Sequence, residues 1–186
     1  MLGAGVPLIA GLARSRFERV VYLGTREFKG LAREAALKLL ELSDGKVVAL
    51  AETPLSFRHG PKTIVNDRTL VVMFLSNDPY ARRYEMDVLR ELRGDGVAAR
   101  VLALQAGAAA GAADFVPGGT PADTLLVPGA LDASDLALCF PYAVFAQTFA
   151  FLQSLALGLR PDTPNARGVV SRVVQGVSIY PWVSPR

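Results

Sequence analysis

Residues 19–50 read RVVYLGTREFKGLAREAALKLLELSDGKVVAL, and this stretch decides the fold class. It opens on a short apolar run, Arg19 to Leu23 (RVVYL), and closes on another, Lys46 to Leu50 (KVVAL). Between them Leu31, Ala35, Leu39 and Leu42 fall on one stripe, which predicts a helix over Gly30 to Leu42 that Gly45 ends. Working outward, the pattern repeats. Leu70 to Leu75 (LVVMFL), Ala98 to Leu104 (AARVLAL) and Asp123 to Val127 (DTLLV) complete a set of five predicted strands. Their apolar runs are nearly unbroken, as in strands covered on both faces, so the expected fold is α/β with a parallel sheet.

The helices follow from local signals. Asp78 before Pro79 is an N-cap with proline in the first turn, opening a helix expected to run to about Arg93 and stop at Gly94. Pro141 to Gly158 is strongly apolar at helical spacing, and a further helix is expected over Pro7 to Arg14. Gly107 to Asp114 (GAAAGAAD) is low in complexity and its composition decides nothing. From Leu159 onward Pro161, Pro164, Gly168 and Pro181 point to an irregular tail. The expected organisation is one domain over residues 1–186, with 1–16 as a helix or linker and 159–186 as the tail.

Composition narrows the function classes. With 186 residues, 51% of them hydrophobic, the chain can bury a core without disulfide or metal support. A single cysteine, Cys139, excludes a disulfide framework and a zinc site built from four cysteines, and it reads as a structural thiol. A net charge of +3 with both signs interspersed carries no nucleic-acid footprint and mildly favours a small anionic ligand. The longest apolar stretch, Ala137 to Leu159, is interrupted by Gln147, Gln153 and Ser154, and no Lys or Arg precedes the first apolar residues. A cytoplasmic protein that binds neither membrane nor nucleic acid is the expectation.

In an open parallel sheet, ligands sit beyond the carboxyl ends of the strands, so the segment after the first strand draws notice. Gly24 to Gly30 lacks the G-x-G-x-x-G spacing, and the chain has no phosphate-binding G-x-x-x-x-G-K-[ST]. Neither a metal-ligand cluster nor a G-x-S-x-G elbow is evident. Chemistry without cofactor or metal is therefore expected. Glu34, Lys38 and Glu41 stand at i, i+4 and i+7 and share one helical face. Spacing alone fits a solvated face with one ion pair, but a carboxylate beside an ammonium also suits proton abstraction next to a carbonyl. The sole histidine, His59, lies in Ser56 to Lys62 (SFRHGPK), where Gly60-Pro61 makes a turn and exposes the ring. Histidine as a residue type, with a reference pKa of about 6.5, suits proton traffic near neutrality, although a lone loop histidine is commonly inert. Thr25 and Ser76 stand at the ends of the first and third strands, and Ser76-Asn77-Asp78 also reads as a turn and cap.

At these residues the sequence resembles the sugar isomerase (SIS) domain. More narrowly it resembles the second SIS domain of AgaS-type tagatose-6-phosphate ketose/aldose isomerases, also described as galactosamine-6-phosphate deaminase/isomerases. The likeness is carried by GLAREAALKLLEL (30–42), FRHGPKTIV (57–65), SNDPYARRYEMDVLREL (76–92) and the tail from FPYAVFAQ to RVVQGVSIYP, in that order. The first two stretches are also similar to half of glucosamine-6-phosphate synthase. The resemblance implies a flavodoxin-like three-layer α/β/α sandwich around five parallel strands. It implies that Glu41 shuttles a proton between C1 and C2, Lys38 steadies the enediolate oxygen, Glu34 orients Lys38 or a sugar hydroxyl, and His59 opens the sugar ring. It also implies that His59 reaches a neighbouring subunit's site, hence at least a dimer or pairing with another SIS domain. Arg172 falls near a tail lysine of the synthase. The substrate-binding candidates are then Thr25, Ser76 and Arg172. One departure stands out: the Ser/Thr-rich phosphate loop, S-x-S-x-x-[ST], of the first SIS domain has no match here. The activity this implies is cofactor-independent isomerisation of a hexose or amino-sugar 6-phosphate, with two other readings open, a non-catalytic sugar-phosphate-binding domain and a dimerisation domain.

Overall fold

A computed structural model describes residues 2–107, 123–165, 167–168, 170 and 176–183. In chain order the elements are α1 (Leu2–Arg14), β1 (Arg19–Gly24), α2 (Glu27–Leu42), β2 (Val48–Glu52), α3 (Pro54–Arg58), β3 (Thr69–Phe74), α4 (Pro79–Asp95), β4 (Arg100–Gly107), β5 (Thr124–Pro128) and α5 (Asp135–Ala156). A 3-10 turn, Pro61–Ile64, links α3 to β3.

The five strands form one sheet in the order β2-β1-β3-β4-β5, every neighbour parallel. Side chains alternate across it, as the two-residue period of a strand requires. Val20, Tyr22, Leu70, Val72, Phe74, Leu102 and Leu104 join a core with α1, α2 and α5. Val21, Leu23, Val71, Met73, Leu75, Val101 and Ala103 join a second core with α3 and α4. Both faces of β1 and β3 are thereby buried, which explains their unbroken apolar sequence, and the fold is the expected flavodoxin-like sandwich.

Several boundaries differ from the sequence-based expectation, each for a tertiary reason. The helix expected from Gly30 starts at Glu27, because Phe28 is buried and its ring lies 5.1 Å from Tyr142 and 6.5 Å from Phe74. That packing outweighs the cost of about 1 kcal/mol for Gly30 within the helix. Gly24 makes the approach possible, since a Cβ there would stand 2.6 Å from the Phe28 carbonyl carbon. The last helix begins at Asp135, six residues before the expected Pro141. Ser134 caps it by accepting from the Ala137 N–H, and the Asp135 carboxylate accepts from the Ser76 hydroxyl at 2.5 Å and the Asn77 N–H at 2.8 Å. By length and composition α5 could cross a membrane, yet it packs on α1 and α2 and buries Leu138, Tyr142, Phe145 and Phe149.

The Asp78 cap stands as expected, accepting from the Tyr80 and Ala81 N–H groups. α4 runs past Gly94 to Asp95 and ends at Gly96, whose φ of 63° is the left-handed conformation that favours glycine at a helix end. β2 lies two residues later than KVVAL, paired from Val48 against Arg19, and α1 begins at Leu2 rather than Pro7, burying Ile9 and Leu12. Cys139 is half-buried, and burial pushes its thiol up. Most of the GAAAGAAD segment and Arg172 lie outside the described residues.

Candidate active site

α2 presents two chemically different sides. Phe28, Ala32, Ala35, Ala36 and Leu39 are buried, and this side anchors the helix on β1, β2 and α5. The opposite side carries Glu34, Lys38 and Glu41, brought together as their spacing predicts. Lys38 Nζ donates to Glu41 Oε2 at 2.8 Å and lies 3.8 Å from Glu34 Oε1. All three remain in contact with water, with side chains 34% exposed for Lys38, 50% for Glu34 and 39% for Glu41. The hydrogen bond to Glu41, reinforced by Glu34, raises the Lys38 pKa, so the ammonium is held in its charged form.

His59 closes α3. Its backbone N–H donates to the Ser56 carbonyl at 3.2 Å, and the residue is exposed. No hydrogen bond or ion pair among the described residues joins it to the α2 charges.

A cleft of about 760 Å³ opens at the carboxyl ends of β1, β2 and β3, where the strand order reverses. Thr25 and Arg26 enter it after β1, Thr53 and Leu55 after β2, and Tyr80, Tyr84 and Glu85 from α4. Arg26 holds a φ of 52° and faces Asp78 at 3.5 Å. Thr25 is thus at the cleft, whereas Ser76 is fully buried, with its hydroxyl donating to Asp135 and accepting from the Asp78 N–H at 2.9 Å. Glu34, Lys38, Glu41 and His59 do not line this cleft.

Glu85 escaped the sequence reading. Its carboxylate accepts from the Ser76 N–H at 2.8 Å, and burial raises its pKa, against the opposing pull of that N–H and the Thr25 hydroxyl. A signal was present: Ala81, Glu85, Val88, Leu89 and Leu92 form the buried stripe of α4, so a carboxylate occupies an apolar position. Thr53, Leu55, Tyr80 and Tyr84 gave no such signal: the two tyrosines meet at i, i+4 on α4, but only the folded arrangement brings that pair to Thr53 and Leu55.

Comparison with known proteins agrees with this architecture. No protein-family model matches the chain. It is 48% identical over 166 residues to the D-galactosamine-6-phosphate deaminase AgaS of Escherichia coli, an alignment covering 89% of this chain and 41% of that protein. The crystal structure of tagatose-6-phosphate ketose/aldose isomerase from Escherichia coli superposes with a TM-score of 0.76 at 40% identity, over 97% of this chain and 45% of that one. The C-terminal domain of glucosamine-fructose-6-phosphate aminotransferase from Francisella tularensis shares the fold, with a TM-score of 0.62 at 21% identity over 83% of this chain and 41% of that one. The chain spans about two fifths of the length of the curated relatives it matches. With its five-stranded parallel sheet and these relatives along most of its length, the chain belongs with the AgaS-like SIS domains.

Proposed function

We propose that the chain supplies the proton-transfer half of a phosphosugar aldose-ketose isomerase site. The observation that carries this is the Lys38 ammonium held 2.8 Å from the Glu41 carboxylate on a face of α2 open to solvent. Glu41 is the general base, removing the proton at C2 of the open-chain aldose and returning it at C1. Lys38 stabilises negative charge on the enediolate oxygen, and Glu34 orients Lys38. His59 opens the ring by moving a proton between the ring oxygen and the C1 hydroxyl. With a 2-amino group the same transfer yields an imine at C2, which water hydrolyses to the ketose with release of ammonia. The relatives named as galactosamine-6-phosphate deaminase and tagatose-6-phosphate isomerase support amino-sugar 6-phosphates and tagatose 6-phosphate as the substrate class.

The phosphate is the part this chain serves least. Thr25 is the hydroxyl proposed to contact substrate at the strand ends, with Ser76 ordering the loop beside it, and Arg172 is kept as a proposed substrate contact on the resemblance alone. The cleft's Arg26 already faces Asp78. A second SIS domain facing α2, from the remaining length seen in the relatives or from another copy, is proposed to bind the phosphate, making the working unit at least a dimer of such domains in the cytoplasm.

The test is proton NMR in D2O with galactosamine 6-phosphate, glucosamine 6-phosphate and tagatose 6-phosphate, with the chain alone and with an added first SIS domain of a relative. Solvent exchange at C1 or C2 that saturates with sugar is expected. Saturable binding without exchange in either mixture would instead identify a sugar-phosphate-binding domain.

A further inference from the structure

His59 is held by its neighbours, not by its own ring. Among the described residues the imidazole has no hydrogen-bond or ion-pair partner, yet both flanks are pinned. Arg58, the residue before it, donates from Nε to Glu91 Oε2 at 2.7 Å and reaches the same oxygen through Nη2 at 2.6 Å. Lys62, three residues after it, contacts Glu91 Oε1 at 2.5 Å and Asp95 Oδ2 at 2.6 Å. One carboxylate on α4 therefore grips the loop on both sides of the histidine. These groups are about one-third exposed, from 28% to 36%, so the contacts are only partly screened by water.

Apolar anchors sit just outside the ionic ones. Phe57 is fully buried beneath the sheet, and Ile64 and Val65 pack against the same core. The five residues from Arg58 to Lys62 thus form a short arch with both feet fixed and His59 near its crown. Lys62 first and Arg58 second hold the Glu91 carboxyl below the ordinary carboxylate range, so the grip persists at neutral pH.

We propose that Glu91 is the positioning residue for His59, fixing the Arg58 to Lys62 arch so that the imidazole is presented in one place. This rests on the reading of His59 as the ring-opening group. Glu91 touches no substrate, and Asp95 supports it through Lys62.

Backbone relaxation NMR on the full chain tests the grip without any substrate. In the parent, the amides of residues 58–60 and 62 are expected to be as ordered as the flanking elements, with order parameters near ~0.85, and in Glu91→Gln to fall toward ~0.6 or lower. The thermal midpoint should stay close to the parent's, and Glu91→Asp should retain part of the order. An arch that remains ordered in Glu91→Gln overturns the proposal. The second readout is solvent exchange with a hexose 6-phosphate, which must open its ring, and with a tetrose 4-phosphate, which is too short to close a stable one. Glu91→Gln should slow exchange between about 10- and 100-fold for the hexose and leave the tetrose unchanged. Combined with His59→Ala it should add little further loss, because both substitutions remove one function. Equal slowing with both sugars, or losses that simply multiply, would make Glu91 a structural residue and sink the idea. A parent that stays silent toward both sugars even with the first SIS domain of a relative added counts against the isomerase reading, and the order of the arch then decides the role of Glu91 on its own.

Discussion

The two sides of α2 obey different constraints. On one side Phe28, Ala32, Ala35 and Leu39 are buried against β1, β2 and α5, and their size and shape are dictated by neighbours. On the other, Lys38 meets both Glu34 and Glu41, and all three reach water. Exposed ion pairs of this kind contribute about 0–1 kcal/mol, whereas a buried aromatic contributes several. The helix could keep its place with three neutral polar residues on the outer side. A functional account of those charges is therefore separable by experiment from the account of the fold.

The largest stability effect should come from the inner side. Phe28→Ala removes a ring packed among Phe74 and Tyr142, and a loss of about 3–5 kcal/mol is expected in urea or thermal unfolding. A loss below about 1 kcal/mol would mean that the inner side is less decisive than its burial implies.

Glu85 offers a sharper version of the comparison, because it is a carboxylate on the buried side of a helix. Its pKa is raised in the fold, so its contribution is fully present below the ordinary carboxylate value of about 4.3 and lost as pH rises through the folded value. Glu85→Gln cannot ionise. The variant should thus gain on the parent as pH rises from about 4, until Glu85 is fully ionised, and the difference should then level off. Unfolding curves across that range check it, and a difference independent of pH would contradict it.

The smallest stability effect belongs to the outer side. Lys38→Met should change stability by less than about 1 kcal/mol, since it removes only exposed pairs, while abolishing the stabilisation of charge proposed for the reaction. A large destabilisation would show that Lys38 serves the fold.

Much of the architecture was legible in the sequence because it rests on local, periodic signals. All five strands, their parallel arrangement and the Asp78-Pro79 start of α4 follow from apolar runs and one capping pair. The shared face of Glu34, Lys38 and Glu41 needed only helical spacing. What escaped depended on contacts distant in sequence. α2 begins at Glu27 because Tyr142 and Phe74 receive Phe28, and α5 begins at Asp135 because Ser76 and Asn77 bind its carboxylate. The grip of Glu91 on the His59 arch joins residues 29 to 33 positions apart and has no local signature. Nor could spacing reveal that the strand-end cleft and the α2 charges are lined by different residues.

The central claim is that the outer side of α2 carries proton transfer, and Glu41→Gln tests it most directly. The measurement is the rate of C1 and C2 proton exchange in D2O with a hexose 6-phosphate, alongside the unfolding free energy of the same samples. A rate reduced by about 10²–10⁴-fold with stability changed by less than about 1 kcal/mol is the predicted result. Exchange within about tenfold of the parent would contradict it, because a positioned general base contributes more than that.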